Sequence, residues 1–362
     1  MSKANQQEAS MSAILLEQTD RLLGEQVTKE IISAAEEGKW PDALWQAVEE
    51  SGLTIAMVPE DAGGVGVEAA DALRLVRRSA FHALPLPLPE TLLAQSLWVS
   101  AGGEVVEGAV TLAPCNPGDR IGITGSGGGF TLSGAARRVP WGGRVGHVLV
   151  LATDANGNEH LALVPQGKAR ADARRNLAFE SRDTLVFDGV SLPAAAVRAA
   201  PAATAGEGLL LLGAQLRTQQ MVGAMERCLD YAIAYANERV QFGRPIGKFQ
   251  AVQHMLAVAA GHFAAATAAA DAAIEAHGRD DAELAVAVAK SRAGEAAGQV
   301  AAISHQVFAA MGFTQEHPLH FSTRRLWSWR DEFGAEAFWQ ERIGRLVCNN
   351  GGDALWPLLT GA

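Results

Sequence analysis

At 362 residues the chain is long enough to bury a sizeable core and to divide into two or three domains. A formal charge of −10 and an isoelectric point of about 5.4 argue against nucleic acid or an anionic membrane surface as the main partner. Three cysteines, Cys115, Cys228 and Cys348, lie far apart with no CxxC spacing, which predicts reduced thiols in a cytoplasmic protein, no disulfide frame and no metal cluster.

The N-terminus, MSKANQQEASMSAILLEQTDRLL, has no apolar core of signal-peptide type, and no run of about 18 apolar residues predicts a membrane span. Ile14, Leu15 and Leu22, then Leu44, Val48 and Leu53, recur near helical spacing and predict an N-terminal helical domain over residues 1–104. A turn-rich loop at 58–64 and an extended Leu-Pro repeat at 84–89 divide it, with a helix starting near Glu90. Over 105–200, short β-prone runs at 121–124, 130–132, 148–151, 160–164 and 184–187 alternate with Gly, Asn, Asp and Pro, the pattern of a small antiparallel β domain. The Gly125-Ser126-Gly127-Gly128-Gly129 run leads into strand-like FTLSG and not into a helix, so it predicts a hairpin turn and not a phosphate loop. Residues 201–362 are alanine-rich and helical in period. Helices at about 207–240, 249–277, 281–309 and 319–346 predict a C-terminal four-helix bundle, giving an α+β chain.

The segment YANERVQFGRPIGKFQAVQH, 235–254, joins two of those helices through a Phe-Gly-Arg-Pro-x-Gly elbow. Gly243 and Gly247 can take backbone angles closed to other residues, and Pro245 cannot continue a helix. Arg239, Gln241, Phe242 and Gln250 gather there: a cation, two amides and an aromatic ring. Such a set suits a large, charged, planar cofactor, and it equally suits a subunit contact.

Four segments in order resemble the acyl-CoA dehydrogenase family over nearly the whole chain. They are LWQAVEESGLTIAMVPEDAGGVG at 44–66, LVFDGVSLPAAAV at 185–197, the elbow from Arg239 to Gln253, and QVFAAMGFTQEHP at 306–318. The resemblance implies a helical domain, a β domain and a bundle, assembled as a dimer or tetramer with FAD at subunit contacts. It implies Arg239 paired with the FAD pyrophosphate of a neighbouring subunit, Gln241 and Phe242 along the dinucleotide, and Gln250 and Gln306 on its adenosine half. Trp141 falls where the family's β domain lies against the flavin ring. Taken singly, Arg239 could pair with Glu238 or a bundle carboxylate, Phe242 could be core and Gln306 an exposed helix residue. The implied substrate is an acyl-CoA and the usual electron acceptor is electron transfer flavoprotein.

The chain departs from the family at its catalytic base. The commoner base position falls on Phe333, in Glu332-Phe333-Gly334-Ala335, and the other, 26 residues before Arg239, on Gly213. Glu332 is the candidate base if the loop slips by one residue; otherwise Asp331 and Glu332 form a solvated acidic pair with Arg324, Arg325 or Arg330. Ala309 and Ala310 replace a Gly-Gly pair that faces FAD, and 112–119 (LAPCNPGD) replaces the flavin and substrate loop. Trp327, Trp329, Trp339 and Trp356 with Arg324, Arg325 and Arg330 read as an interface patch or as core. His317 and His320 have helical spacing, but the family uses no metal. Two functions follow. One is an FAD-dependent dehydrogenase producing a 2-enoyl-CoA, with a bulky or cyclic acyl group in view. The other is a degenerate partner subunit, as in the heterotetrameric steroid-CoA group, that completes another subunit's FAD site.

Overall fold

The computed structural model describes residues 3–126, 128–279 and 281–360. Five helices come first: α1 (Lys3–Gln26), α2 (Lys29–Glu36), α3 (Asp42–Glu50), α4 (Ala69–Phe81) and α5 (Leu88–Ser100). Thr28 opens α2 by accepting the Ile31 N–H at 3.4 Å, satisfying one of the orphan donors of a helix start.

Eight strands follow: β1 (Val110–Ala113), β2 (Ile121–Ser126), β3 (Gly129–Pro140), β4 (His147–Thr153), β5 (Glu159–Pro165), β6 (Arg170–Asp172), β7 (Arg182–Leu192) and β8 (Val197–Ala199). They form one sheet in the order β6-β7-β3-β2-β4-β5-β8, with β1 beside β4. Most pairings are antiparallel, but β4 runs parallel to both β1 and β2. The glycine run closes the β2–β3 hairpin at Ser126↔Gly129; Gly127 itself lies outside the described residues. The β3–β7 register shifts between Ala136 and Val139, a bulge with Arg138 at φ +55°. Beyond it Val139 and Trp141 turn into the core, while Arg137 and Arg138 stay outside.

The bundle is α6 (Gly208–Glu238), α7 (Gln250–Glu275), α8 (Ala282–Phe308), α9 (Leu319–Trp329) and α10 (Glu336–Asn350), with a short α11 (Leu355–Thr360). Its core is built largely from alanines such as Ala224, Ala266, Ala293 and Ala297, which let helix axes approach closely. Gly223 does the same where α6 crosses α4: a β-carbon there would stand 2.0 Å from the Arg77 carbonyl oxygen. The expected fourth helix over 319–346 is two helices. Phe333 and Gly334, at φ +53° and +91°, cannot continue a right-handed helix and turn the chain between α9 and α10. By length and composition α7 is apolar enough to cross a membrane, with a mean hydropathy of 1.3 over 18 residues, contrary to the expectation from uninterrupted apolar runs. It packs against α8 and α6, which also pack on each other, and 28% of that window is buried.

Candidate functional site

The elbow is a tight hairpin. Arg239 ends α6, and β9 (Val240–Gln241) pairs antiparallel with β10 (Arg244–Pro245). The two turn residues, Phe242 and Gly243, have φ of +51° and +79°, as a type I′ turn requires. That geometry forces the Phe242 ring outward, where it is 93% exposed and stands edge-on to Phe249, at 6.1 Å between centroids. Arg244 lies over the Phe249 ring at 4.3 Å and holds the hairpin against the start of α7.

Beside the hairpin is a cleft of about 530 Å³ lined by Arg239, Gln241 and Phe242 on one side and Val307–Met311 on the other. Tyr235, stacked on Phe308 at 4.3 Å and 22°, forms part of its wall. Arg239 is exposed and, among the described residues, forms no ion pair with Glu238 or any other carboxylate. Gln250, the first residue of α7, and Gln306, in the last turn of α8, are exposed at the neighbouring helix ends and are not among the lining residues. Ala309 takes φ +49° and ψ −134°, a conformation suited to glycine, so the backbone keeps a glycine-type turn although the residue has changed. Trp141 is elsewhere. It is 6% exposed, stands edge-on to Trp40 at 5.8 Å, and lines a separate cleft in the β domain.

The base half of the site is solid protein. Gly213 and Phe333, the two positions where a base is expected, are in direct contact: a β-carbon on Gly213 would lie 2.0 Å from the Phe333 ring. The ring is 2% exposed and packs with Cys115, Leu210, Ala214 and Trp339. Cys115 belongs to the 112–119 segment, so the loop that replaces the flavin and substrate loop closes directly onto the bundle. Burial pushes the Cys115 thiol well up, which removes it as a nucleophile at neutral pH.

Glu332 is neither an available base nor a solvated acid. It is 8% exposed and lies between two guanidinium groups, with Arg182 Nε 2.7 Å from Oε1 and Arg217 Nε 2.7 Å from Oε2. Asn176 Nδ2 also donates to Oε1 at 3.2 Å. Burial pushes its pKa up, but Arg182 and Arg217 overcome that and hold it at about 2, so it has little affinity for a substrate proton. The expected partners Arg324, Arg325 and Arg330 go elsewhere: Arg324 to Glu36, Arg325 to Glu180 and Arg330 to Glu336.

These contacts extend into a buried ladder of alternating charge: Glu90, Arg217, Glu332, Arg182, Glu180, Arg325. Successive N···O distances are 2.7, 2.7, 2.7, 2.8 and 3.1 Å. Trp329 Nε1 donates to Glu180 at 3.0 Å, and Lys290 Nζ, also buried, donates to the carbonyls of Arg330 and Gly334 at 2.7 Å each, fixing both ends of the Phe333 loop. The C-terminal tryptophan and arginine set is divided: Trp329, Trp339 and Arg325 are at most 2% exposed, Trp327, Arg324 and Arg330 are half-buried, and Trp356 is 72% exposed. Sequence reading missed the ladder. Its trace was present in single charges inside apolar runs: Arg217 in LLLLGAQLRTQQMVGAM and Glu90 in LPLPLPETLLAQ.

Residues 207–342 match the family model described as acyl-CoA dehydrogenase, C-terminal domain. Acyl-CoA dehydrogenase IpdE2 of Mycobacterium tuberculosis is 30% identical over 290 residues, covering 79% of this chain and 80% of that protein. The chain belongs to the acyl-CoA dehydrogenase family. Its members are oxidoreductases acting on the CH–CH bond of acyl-CoA thioesters. Acyl-CoA dehydrogenase FadE34 of the same organism is 32% identical over 317 residues, 82% of this chain and 41% of that longer protein. The fold is shared with a chain of the ChsE4-ChsE5 complex of M. tuberculosis (TM-score 0.83, 23% identity, 93% of this chain and 97% of that one). It is also shared with butyryl-CoA dehydrogenase from Megasphaera elsdenii (TM-score 0.78, 19% identity, 93% and 98%).

Proposed function

We propose that this chain is the base-lacking subunit of a hetero-oligomeric acyl-CoA dehydrogenase, completing through its elbow an FAD site whose ring and catalytic base belong to a second chain. The observation that carries this is the contact between Gly213 and Phe333, which fills both expected base positions with one aromatic ring. A single-chain enzyme would need Glu332 free of Arg182 and Arg217.

The elbow residues fit the dinucleotide half of FAD. Arg239 offers an exposed guanidinium with no carboxylate partner among the described residues, suited to a pyrophosphate. Phe242 offers a bare ring, Gln241 an amide, and Ala309 marks a glycine-type close approach in the same cleft. The base side of the site within this chain is filled, because Cys115, Ala214 and Phe333 pack together there. The chemistry supplied by a bound flavin is acceptance of hydride from the acyl chain. This chain's part is to bind and orient the dinucleotide, and its buried ladder keeps water and substrate from its own interior. A two-chain assembly is in keeping with the fold shared with a member of the ChsE4-ChsE5 complex, and a bulky acyl group with the steroid-CoA resemblance.

The test is co-expression with a second acyl-CoA dehydrogenase chain that carries a glutamate at the base position. The isolated chain is expected to be colourless. The co-purified pair should be yellow, with flavin lost on Arg239→Ala in this chain. An isolated chain that holds stoichiometric FAD and turns over an acyl-CoA would end the proposal.

A further inference from the structure

We propose that Arg244 is a positioning residue of the elbow, an assignment that rests on the elbow being half of an FAD site. Without touching the dinucleotide, Arg244 holds the Phe249 ring and, through that ring, fixes the hairpin that carries Arg239, Gln241 and Phe242.

The β9–β10 ribbon is only two residue pairs long, Gln241↔Arg244 and Val240↔Pro245. Val240, Gln241, Phe242 and Arg244 are all exposed. A lone two-stranded ribbon is at best marginally stable in water, so its shape depends on ties to the helices around it. Two ties hold its base. Ile246 N donates to the Arg239 carbonyl at 2.8 Å, and Gln253 Nε2 donates to the Gly247 carbonyl at 2.9 Å. Gly247 passes so close to the end of α6 that a β-carbon there would stand 3.0 Å from the Ala236 carbonyl oxygen.

The tip is held by a ring. The Phe249 carbonyl accepts from Val252 N at 3.0 Å and Gln253 N at 3.1 Å, so its backbone belongs to the first turn of α7. Its half-buried side chain lines the elbow cleft. Phe242 stands edge-on to this ring at 81°, and Arg244 Cζ lies over it at 4.3 Å. Phe249 is therefore a post on a rigid helix, gripped by residues from both sides of the turn.

Arg244 is not among the residues lining the cleft. Among the described residues it is in no ion pair, although the chain carries 40 acidic side chains, and the Phe249 ring is the contact its guanidinium makes. A planar, weakly hydrated guanidinium suits an aromatic face better than an ammonium does. An exposed cation–π contact is strong enough to bias the hairpin toward this arrangement by about two- to fivefold.

Arg244→Met removes the charge and keeps most of the side chain's length. In the isolated full-length chain, amide hydrogen exchange at Ile246, whose N–H closes the hairpin, should quicken by about two- to fivefold, with the thermal midpoint unchanged. In the co-purified two-chain assembly, FAD release followed by flavin fluorescence should quicken by the same factor. Arg244→Lys should recover part of both effects. In a Phe249→Leu background, Arg244→Met should add nothing further, because the ring through which it acts is gone. An equal effect of Arg244→Met with and without Phe249 would show that Arg244 contacts the ligand or the second chain directly, and would overturn the assignment. So would a flavin-bearing assembly in which Arg244→Met changes neither exchange nor release. A wild-type assembly without flavin would instead end the reading of the elbow itself.

Discussion

Replacing Glu332 with glutamine tests whether the buried ladder is a scaffold or a catalytic remnant. Removing one partner from a buried ion pair costs roughly 3–5 kcal/mol, because the remaining charge is stranded in a poor solvent. Here two arginines lose a partner, but Arg182 keeps Glu180 at 2.8 Å and Arg217 keeps Glu90 at 2.7 Å. The cost should therefore fall toward the lower end, about 3 kcal/mol. Acid titration gives a second reading. The folded pKa of Glu332 is about 2 against an ordinary 4.5, so its contribution is complete above pH 4.5 and is lost as pH falls toward 2. A depression of that size corresponds to roughly 3 kcal/mol. Equilibrium urea unfolding of both proteins between pH 7 and pH 3 measures the two together. The wild type should lose its advantage over Glu332→Gln progressively below pH 4.5. A variant within about 0.5 kcal/mol of wild type at pH 7 would refute the scaffold reading. So would a gap between the two proteins that does not change with pH.

Gly213→Ala should be strongly destabilising, by about 1–3 kcal/mol or more, since its methyl group would collide with the Phe333 ring at 2.0 Å. Phe333→Ala on the same background should recover part of that loss, and denaturant midpoints of the four proteins in the cycle check the coupling. Ala309→Gly should be neutral or stabilising in thermal unfolding, because it relieves a positive φ, whereas Ala297→Gly within α8 should cost about 1 kcal/mol.

The family, the order of its three regions and the elbow were legible because they are written locally. The Phe-Gly pair announces a turn, Pro245 ends a helix, and alanine at helical spacing predicts close-packed helices. Arg239, Gln241 and Phe242 come together around one cleft because they flank one hairpin. The region around Glu332 was not legible, because its partners lie 115 and 150 positions away in sequence, and no periodicity reports which buried charges meet. The absence of a carboxylate at Phe333 and Gly213 could be read directly. What could not be read is that the two positions fill each other, since that depends on a helix–loop contact fixed by the positive φ of Phe333. The missing strands β1, β6 and β8 are three or four residues long, too short for an alternating pattern to register.

The ladder has a consequence for how the molecule comes apart. Its six charges are contributed by α5, the β7 region, α6, α9 and the loop before α10, and three of its five rungs, Glu90–Arg217, Arg182–Glu332 and Glu180–Arg325, cross from one region of the chain to another. Swinging the β domain away from the bundle would break the buried Arg182–Glu332 and Arg325–Glu180 pairs. The three regions are thus expected to melt as one cooperative unit, with calorimetric and van't Hoff enthalpies in agreement, and to lack the hinge freedom that a substrate-gated enzyme uses.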